Sequence, residues 1–134
     1  MNLLRRRLRL AGDDRGTTAI ELVIVTPLLM LVTFLIVQFA LSWFGNEVAG
    51  ATAREVARYV RIGGTPAQAE ARGTEYAASV GNGSLRDVSV EVTLIGDDRV
   101  RATVRGRAQE IVDGFAPRVT QSVEGPIEQF KADR

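Results

Sequence analysis

The residues best placed to do chemistry lie in one short segment, Arg15-Gly16-Thr17-Thr18-Ala19-Ile20-Glu21. Glu21 is a lone carboxylate at the edge of a long uncharged apolar run. A charge costs about 2.5 kcal/mol or more near the centre of a bilayer and less at its rim, so something should offset it. One offset is local. Thr18-x-x-Glu21 has the spacing of a capping box, in which hydroxyl and carboxylate satisfy free backbone N–H groups at a helix start, and the carboxylate complements the positive end of the helix dipole. The other offset requires a cut after Gly16. Thr17 then carries a new α-amine, and Glu21 is the fifth residue of the shortened chain, one helical turn along on the same face. Cation and anion would meet at the membrane rim, within one subunit or between neighbours. Partial neutralisation would let the helix leave lipid for a protein bundle. Glycine suits such a cut because it fits an extended backbone held closely in a protease groove.

Other chemistries are excluded by what is missing. The chain has no Cys and no His, which removes disulfides, thiol nucleophiles, Cys/His zinc sites and imidazole acid–base catalysis. There is no Gly-x-Ser-x-Gly or Ser-x-x-Lys motif. No catalytic residue, cofactor or metal site is expected, and no enzyme. Asp97-Asp98 reads as turn chemistry beside Gly96. With a net charge of +1, there is no global electrostatic case for nucleic acid.

The elements that would position Gly16, Thr17 and Glu21 are legible from composition. Residues 1–16 carry five Arg against two Asp, a net +3. Residues 22–44 are apolar apart from Thr26, Pro27, Thr33, Gln38 and Ser42. These 23 residues make about 35 Å of helix at ~1.5 Å per residue, enough to cross a hydrocarbon core ~30 Å thick. The apolar core of a cleaved secretory signal, roughly 7 to 15 residues, is too short to match. Arginine is concentrated before the span, and the next basic residue is Arg54. The N-terminus is therefore expected in the cytoplasm, the span in the cytoplasmic membrane, and the C-terminal part outside. The expected organisation is a basic segment 1–16, a transmembrane helix 17–44 and an α+β domain 45–134.

The helix is expected to continue over 46–62, with Ala49, Ala53, Val56, Ala57 and Val60 on one face. Gly45, Ala49, Ala53 and Ala57 recur every four residues, a spacing that lets helices approach closely. That stripe suits either the central bundle of a filament or docking on the chain's own sheet. Thr65-Pro66 reads as an N-cap and N1 proline opening a second helix. Its apolar side is expected to be Ala69, Tyr76, Ala77 and Val80, and Gly81-Asn82-Gly83 should stop it. Val88 to Leu94 and Val100 to Val104 alternate as strands. If both apolar faces lie on one side, paired residue numbers sum to an even number. A three-residue loop at 96–98 does this, pairing Leu94 with Val100 and Val92 with Ala102. Val119, Gln121 and Val123 suggest a third strand. The opposite face carries Arg99, Arg101, Arg105 and Arg107, a surface suited to a partner or to plain solvation. No aromatic interleaves these arginines to stack a base.

A short basic leader, Gly16, Glu21 five residues into the shortened chain and an apolar helix together resemble the prepilin signal of type IV pilin-like proteins. Within that group, Glu21-Leu22-Val23-Ile24-Val25-Thr26-Pro27-Leu28-Leu29 is similar to the TadE-like pattern, with Pro27 six residues after the Glu. TadE-like proteins are pseudopilins or minor pilins of the Flp/Tad pilus. The resemblance implies cutting between Gly16 and Thr17 by a membrane prepilin peptidase. It also implies a part in pilus assembly or initiation for Glu21 and Pro27. The implied partners are the peptidase, other pilins, inner-membrane pilus assembly proteins and membrane lipid. Thr17 stands where major type IV pilins begin with Phe, and without Cys there is no C-terminal disulfide loop. The competing function is an uncleaved, singly anchored envelope protein whose outer domain binds a ligand or partner.

Overall fold

The structure, a computed structural model, describes residues 14–127, with side chains from Thr18 onward. Residues 1–13, most of the basic segment, lie outside the described residues. Helix α1 spans Asp14–Arg61 and α2 spans Pro66–Gly81; strands β1 (Leu85–Ile95), β2 (Arg99–Ala108) and β3 (Arg118–Pro126) follow. The strands form one antiparallel sheet in the order β1-β2-β3. The fold is α+β. Internal contacts divide the chain into two compact units, 1–37 and 38–134.

In the first unit α1 is apolar on every side. Residues from Ile20 to Val37 expose large hydrophobic side chains all round the helix. This helix is long and apolar enough to cross a membrane, and none of its most apolar window is buried within the chain. A core helix of a soluble protein would be covered.

In the second unit the same helix becomes one-sided. Val48, Ala49, Thr52, Ala53, Val56, Ala57 and Val60 are all buried, a stripe that repeats at i, i+1, i+4 and i+5 as a sheet-facing helix requires. One cluster joins Val48, Ala49 and Ala53 to Leu85, Val104, Ala108 and Val119. A second joins Val56, Ala57 and Val60 to Ala69, Val100 and Ala102. Thr52 is buried and its hydroxyl donates to the Val48 carbonyl at 2.8 Å, so that hydroxyl is not stranded.

Helix α2 opens as its sequence predicts. Thr65 is the N-cap and Pro66 follows it; Gln68 N–H donates to Thr65 Oγ1 at 3.3 Å, and Thr65 N–H to Gln68 Oε1 at 3.4 Å. Asn82 closes it in the left-handed conformation. Its buried face differs from expectation. Ala69, Gly73, Ala77 and Gly81 are inside, Tyr76 is half-buried and Val80 is 45% exposed. A Cβ on Gly73 would collide with Val56 Cγ2 and stand 3.1 Å from Val90 Cγ1; one on Gly81 would stand 3.2 Å from Val48 Cγ1. At Gly73 the approach is too close even for the Cβ of an alanine.

The sheet register follows the parity argument over most of its length. Leu94 pairs with Val100 and Val92 with Ala102, and the loop is 96–98. Closer to the start of β1 the register slips between Arg86 and Ser89. There Leu85 pairs with Ala108, an odd sum, while Ser89 pairs with Arg105, an even one. The extra residue is a bulge, with Asp87 at φ +51, and it turns Leu85 inward. Leu94 is a correction: it stands opposite fully buried Val100 yet is 51% exposed. β1 is the edge strand, and the helices that shelter Val90 and Val92 do not cover its far end. The edge itself is met by α2, where Glu70 Oε1 accepts the Val92 N–H at 3.0 Å.

Two substitutions separate close packing from simple helix propensity. Gly73→Leu overfills the α1–α2 contact at a cost of about 1–3 kcal/mol, which should lower the melting temperature in detergent by about 5–20 °C. Gly50→Ala adds a Cβ that meets only the Arg54 side chain, at 3.6 Å, and should raise stability by about 0.5–1 kcal/mol. Circular-dichroism melts of the full chain check both signs.

Candidate functional site

Gly16, Thr17 and Glu21 all lie on α1, which begins at Asp14. The capping-box reading of Thr18 and Glu21 fails for the intact chain, because the helix starts a full turn before Thr18 and neither residue stands at its end. Gly16, beside the Gly16–Thr17 bond, is a weak helix former. Thr17 and Glu21 are one turn apart on the helix. Glu21 is exposed.

Downstream, the polar side chains of the apolar stretch are individually accommodated. Thr26 Oγ1 donates to the Leu22 carbonyl at 2.6 Å, Thr33 Oγ1 to Leu29 at 2.9 Å and Ser42 Oγ to Gln38 at 2.8 Å. Such back-bonding hides hydroxyls from lipid. Pro27 lies inside the helix; it has no N–H to give the Val23 carbonyl. Gln38 is held differently. Its Nε2 donates to the Gln109 carbonyl at 3.3 Å, and its Oε1 accepts the Ile111 N–H at 3.2 Å. Sequence reading had treated Gln38 as a mere interruption and missed this tie, because its partners are more than seventy positions away.

The small-residue stripe is occupied within the second unit. Ala49, Ala53 and Ala57 pack in the two core clusters. A Cβ on Gly45 would come within 3.0 Å of Ala108 Cβ. The stripe's exposure to a neighbouring subunit is accordingly slight.

The arginine face is answered by acids on the flanking strands. Arg99 Nη2 stands 2.8 Å from Glu124 Oε2, Arg101 Nε donates to Glu124 Oε1 at 2.6 Å, Arg105 Nη1 pairs with Glu91 Oε2 at 2.7 Å, and Arg107 lies 4.0 Å from Asp87. Glu124 was legible in the sequence only once β3 had a register; Arg101 and Glu124 are direct partners across β2 and β3. All four arginines are about half exposed, so each pair contributes ~0–1 kcal/mol. Glu124→Gln should therefore cost under about 1 kcal/mol, with the difference shrinking in high salt. Thermal melts at two ionic strengths read both.

Among curated proteins and among solved structures, none matches this chain. A family comparison does match, and it falls on the segment that carries Gly16, Thr17, Glu21, Pro27 and the small-residue stripe. Over residues 16–58 the chain matches the family model of TadE-like proteins.

Proposed function

We propose that this chain is a minor pilin or pseudopilin of a Tad-type pilus, cut between Gly16 and Thr17 by a prepilin peptidase and used to assemble or initiate the fibre. The observation that carries the reading is α1 itself. The TadE-like match begins at Gly16, near the start of a helix whose most apolar window is wholly uncovered by the chain's own residues. The family match supports a membrane protein associated with the Tad pilus. The arginines of residues 1–16 support a cytoplasmic N-terminus.

Removal of the net +3 segment takes the chain from +1 to −2 and creates an amine one turn from Glu21. The ammonium and carboxylate then offset one another where lipid lowers the dielectric. An exposed pair contributes ~0–1 kcal/mol in water and more at the membrane rim. Repeated over subunits that enter a bundle, that bias favours leaving the bilayer. Pro27 removes one backbone hydrogen bond in the same segment and permits a bend there.

Two experiments test this. Intact mass of protein produced with a prepilin peptidase should show loss of the first 16 residues, and Gly16→Ile should abolish that loss while the far-ultraviolet spectrum is retained. A mature chain still starting at Met1 supports the uncleaved envelope anchor instead. Glu21→Gln should be cut normally, since the scissile bond lies upstream, but should not co-purify with other pilus components or enter fibres. Unchanged co-purification and fibre number would leave Glu21 with no role in assembly.

A further inference from the structure

The β2–β3 connection, residues 109–117, exposes three large apolar side chains. Ile111, Val112 and Phe115 are 42%, 58% and 74% exposed, and none of them packs in either core cluster. A soluble surface would not place three large apolar side chains on one short loop without an occupant.

The position of the loop names the occupant. Its backbone is tied at Gln109 and Ile111 to the side chain of Gln38, and Gln38 lies inside the apolar stretch, six residues before its end at Phe44. Six helical residues advance about 9 Å. Phe39, Trp43 and Phe44, next along α1, are exposed as well. Two placements of the membrane are open. If lipid covers α1 as far as Phe44, the loop lies below the surface of the bilayer. If it ends at Gln38, the remaining 17 residues, 22–38, are at the short limit for a span, about 17, and the loop lies at the boundary. Both put Ile111, Val112 and Phe115 against lipid.

The loop's polar groups suit that boundary. Ile111 N–H is bonded to Gln38, Phe115 N–H to the Val112 carbonyl at 3.2 Å, and Ala116 N–H to Glu110 Oε2 at 2.7 Å. Gln109 N–H donates to the Ser84 carbonyl at 2.9 Å, and Ala108 N–H to Pro117 at 3.1 Å. Backbone groups bonded internally can approach hydrocarbon, whereas the Asp113 carboxylate at the tip holds the loop to the interfacial layer.

We infer that loop 109–117 is a membrane-contact element, with Ile111, Val112 and Phe115 seated in the interfacial layer of a phospholipid bilayer beside the emerging helix. The seat fixes the tilt of the second unit against the membrane through two attachments, α1 and the loop. It rests on the membrane span and is independent of whether Gly16 is cut.

The natural absence of Cys makes single-cysteine labelling clean. Phe115→Cys, Val112→Cys, Leu35→Cys and Asp98→Cys would each carry an environment-sensitive fluorophore in the full chain, reconstituted in phosphatidylcholine vesicles with quenchers at known depths. Labels at 112 and 115 should lose fluorescence to a quencher near the headgroup boundary, and the label at 35 to a deep one. The label at 98, in the loop at the other end of the β1–β2 hairpin, should keep its intensity. The loss at 115 should be the same when anionic lipid is added, as expected for apolar seating. If 112 and 115 behave like 98 while 35 is quenched, the inference is overturned and the span stands. Loss of quenching at 35 as well removes the span on which it rests. Labels at 112 and 115 that ignore lipid and are shielded only when other pilus subunits are added identify the loop as a subunit contact, which also overturns it.

Discussion

One helix has to satisfy two surroundings, and side-chain size does the sorting. Along α1 the side chains are large and apolar on every side up to Phe44, as lipid demands. Beyond it the inward positions shrink to Ala49, Ala53 and Ala57, interleaved with Val48, Val56 and Val60. Small residues allow the backbone to lie close against β2, whose inward side chains, Val100, Ala102, Val104 and Ala108, are fully buried and equally modest. Gly73 and Gly81 repeat the device between the helices. Among the described residues no aromatic ring is fully buried in the second unit, Tyr59 packing only partly buried against one cluster; the largest fully buried side chains are valines and Thr52. Such a core depends on close fit more than on bulk.

That constraint also limits what the surface can do. Because the small-residue stripe is covered by the chain's own sheet, the subunit contacts of the proposed fibre are left to the uncovered part of α1 and to the charge at its rim. The arginines of β2, already engaged by Glu91 and Glu124, add local order to the outer sheet face.

How far these features were legible in the sequence depends on the range of the interaction that decides each one. Thr65 and Pro66 act within one helical turn, so the start of α2 could be read directly. Loop 96–98 followed from parity alone, because a two-residue loop would have set Leu94 against Arg101. The bulge at Asp87 was hidden, since Val88 to Leu94 alternate perfectly and nothing local marks the extra residue. Gly73 and Gly81 read as neutral helix positions until Val56 and Val48 are placed against them. Val80 and Leu94 are apolar by type but sit where no element covers them. Gln38 was the least legible: in a lipid-facing stretch a polar residue reads as a defect, and its purpose lies in a loop that folds back from the other end of the sheet. In the candidate site, Gly16 and Glu21 were visible from spacing, whereas the helical backbone already present at Asp14 was not, because Thr18-x-x-Glu21 has the spacing of a helix opening.

The account turns on α1 changing surroundings without interruption, and site-by-site oxygen accessibility of spin labels along residues 28–60 in bilayers measures this directly. Accessibility should be high at every position through about residue 37, and beyond Val48 it should oscillate with the helical period of ~3.6 residues, with minima at Ala49, Ala53, Val56 and Val60. An oscillation of that period through residues 28–37 would mean that another protein surface, and not lipid, covers the apolar stretch, and would contradict the account.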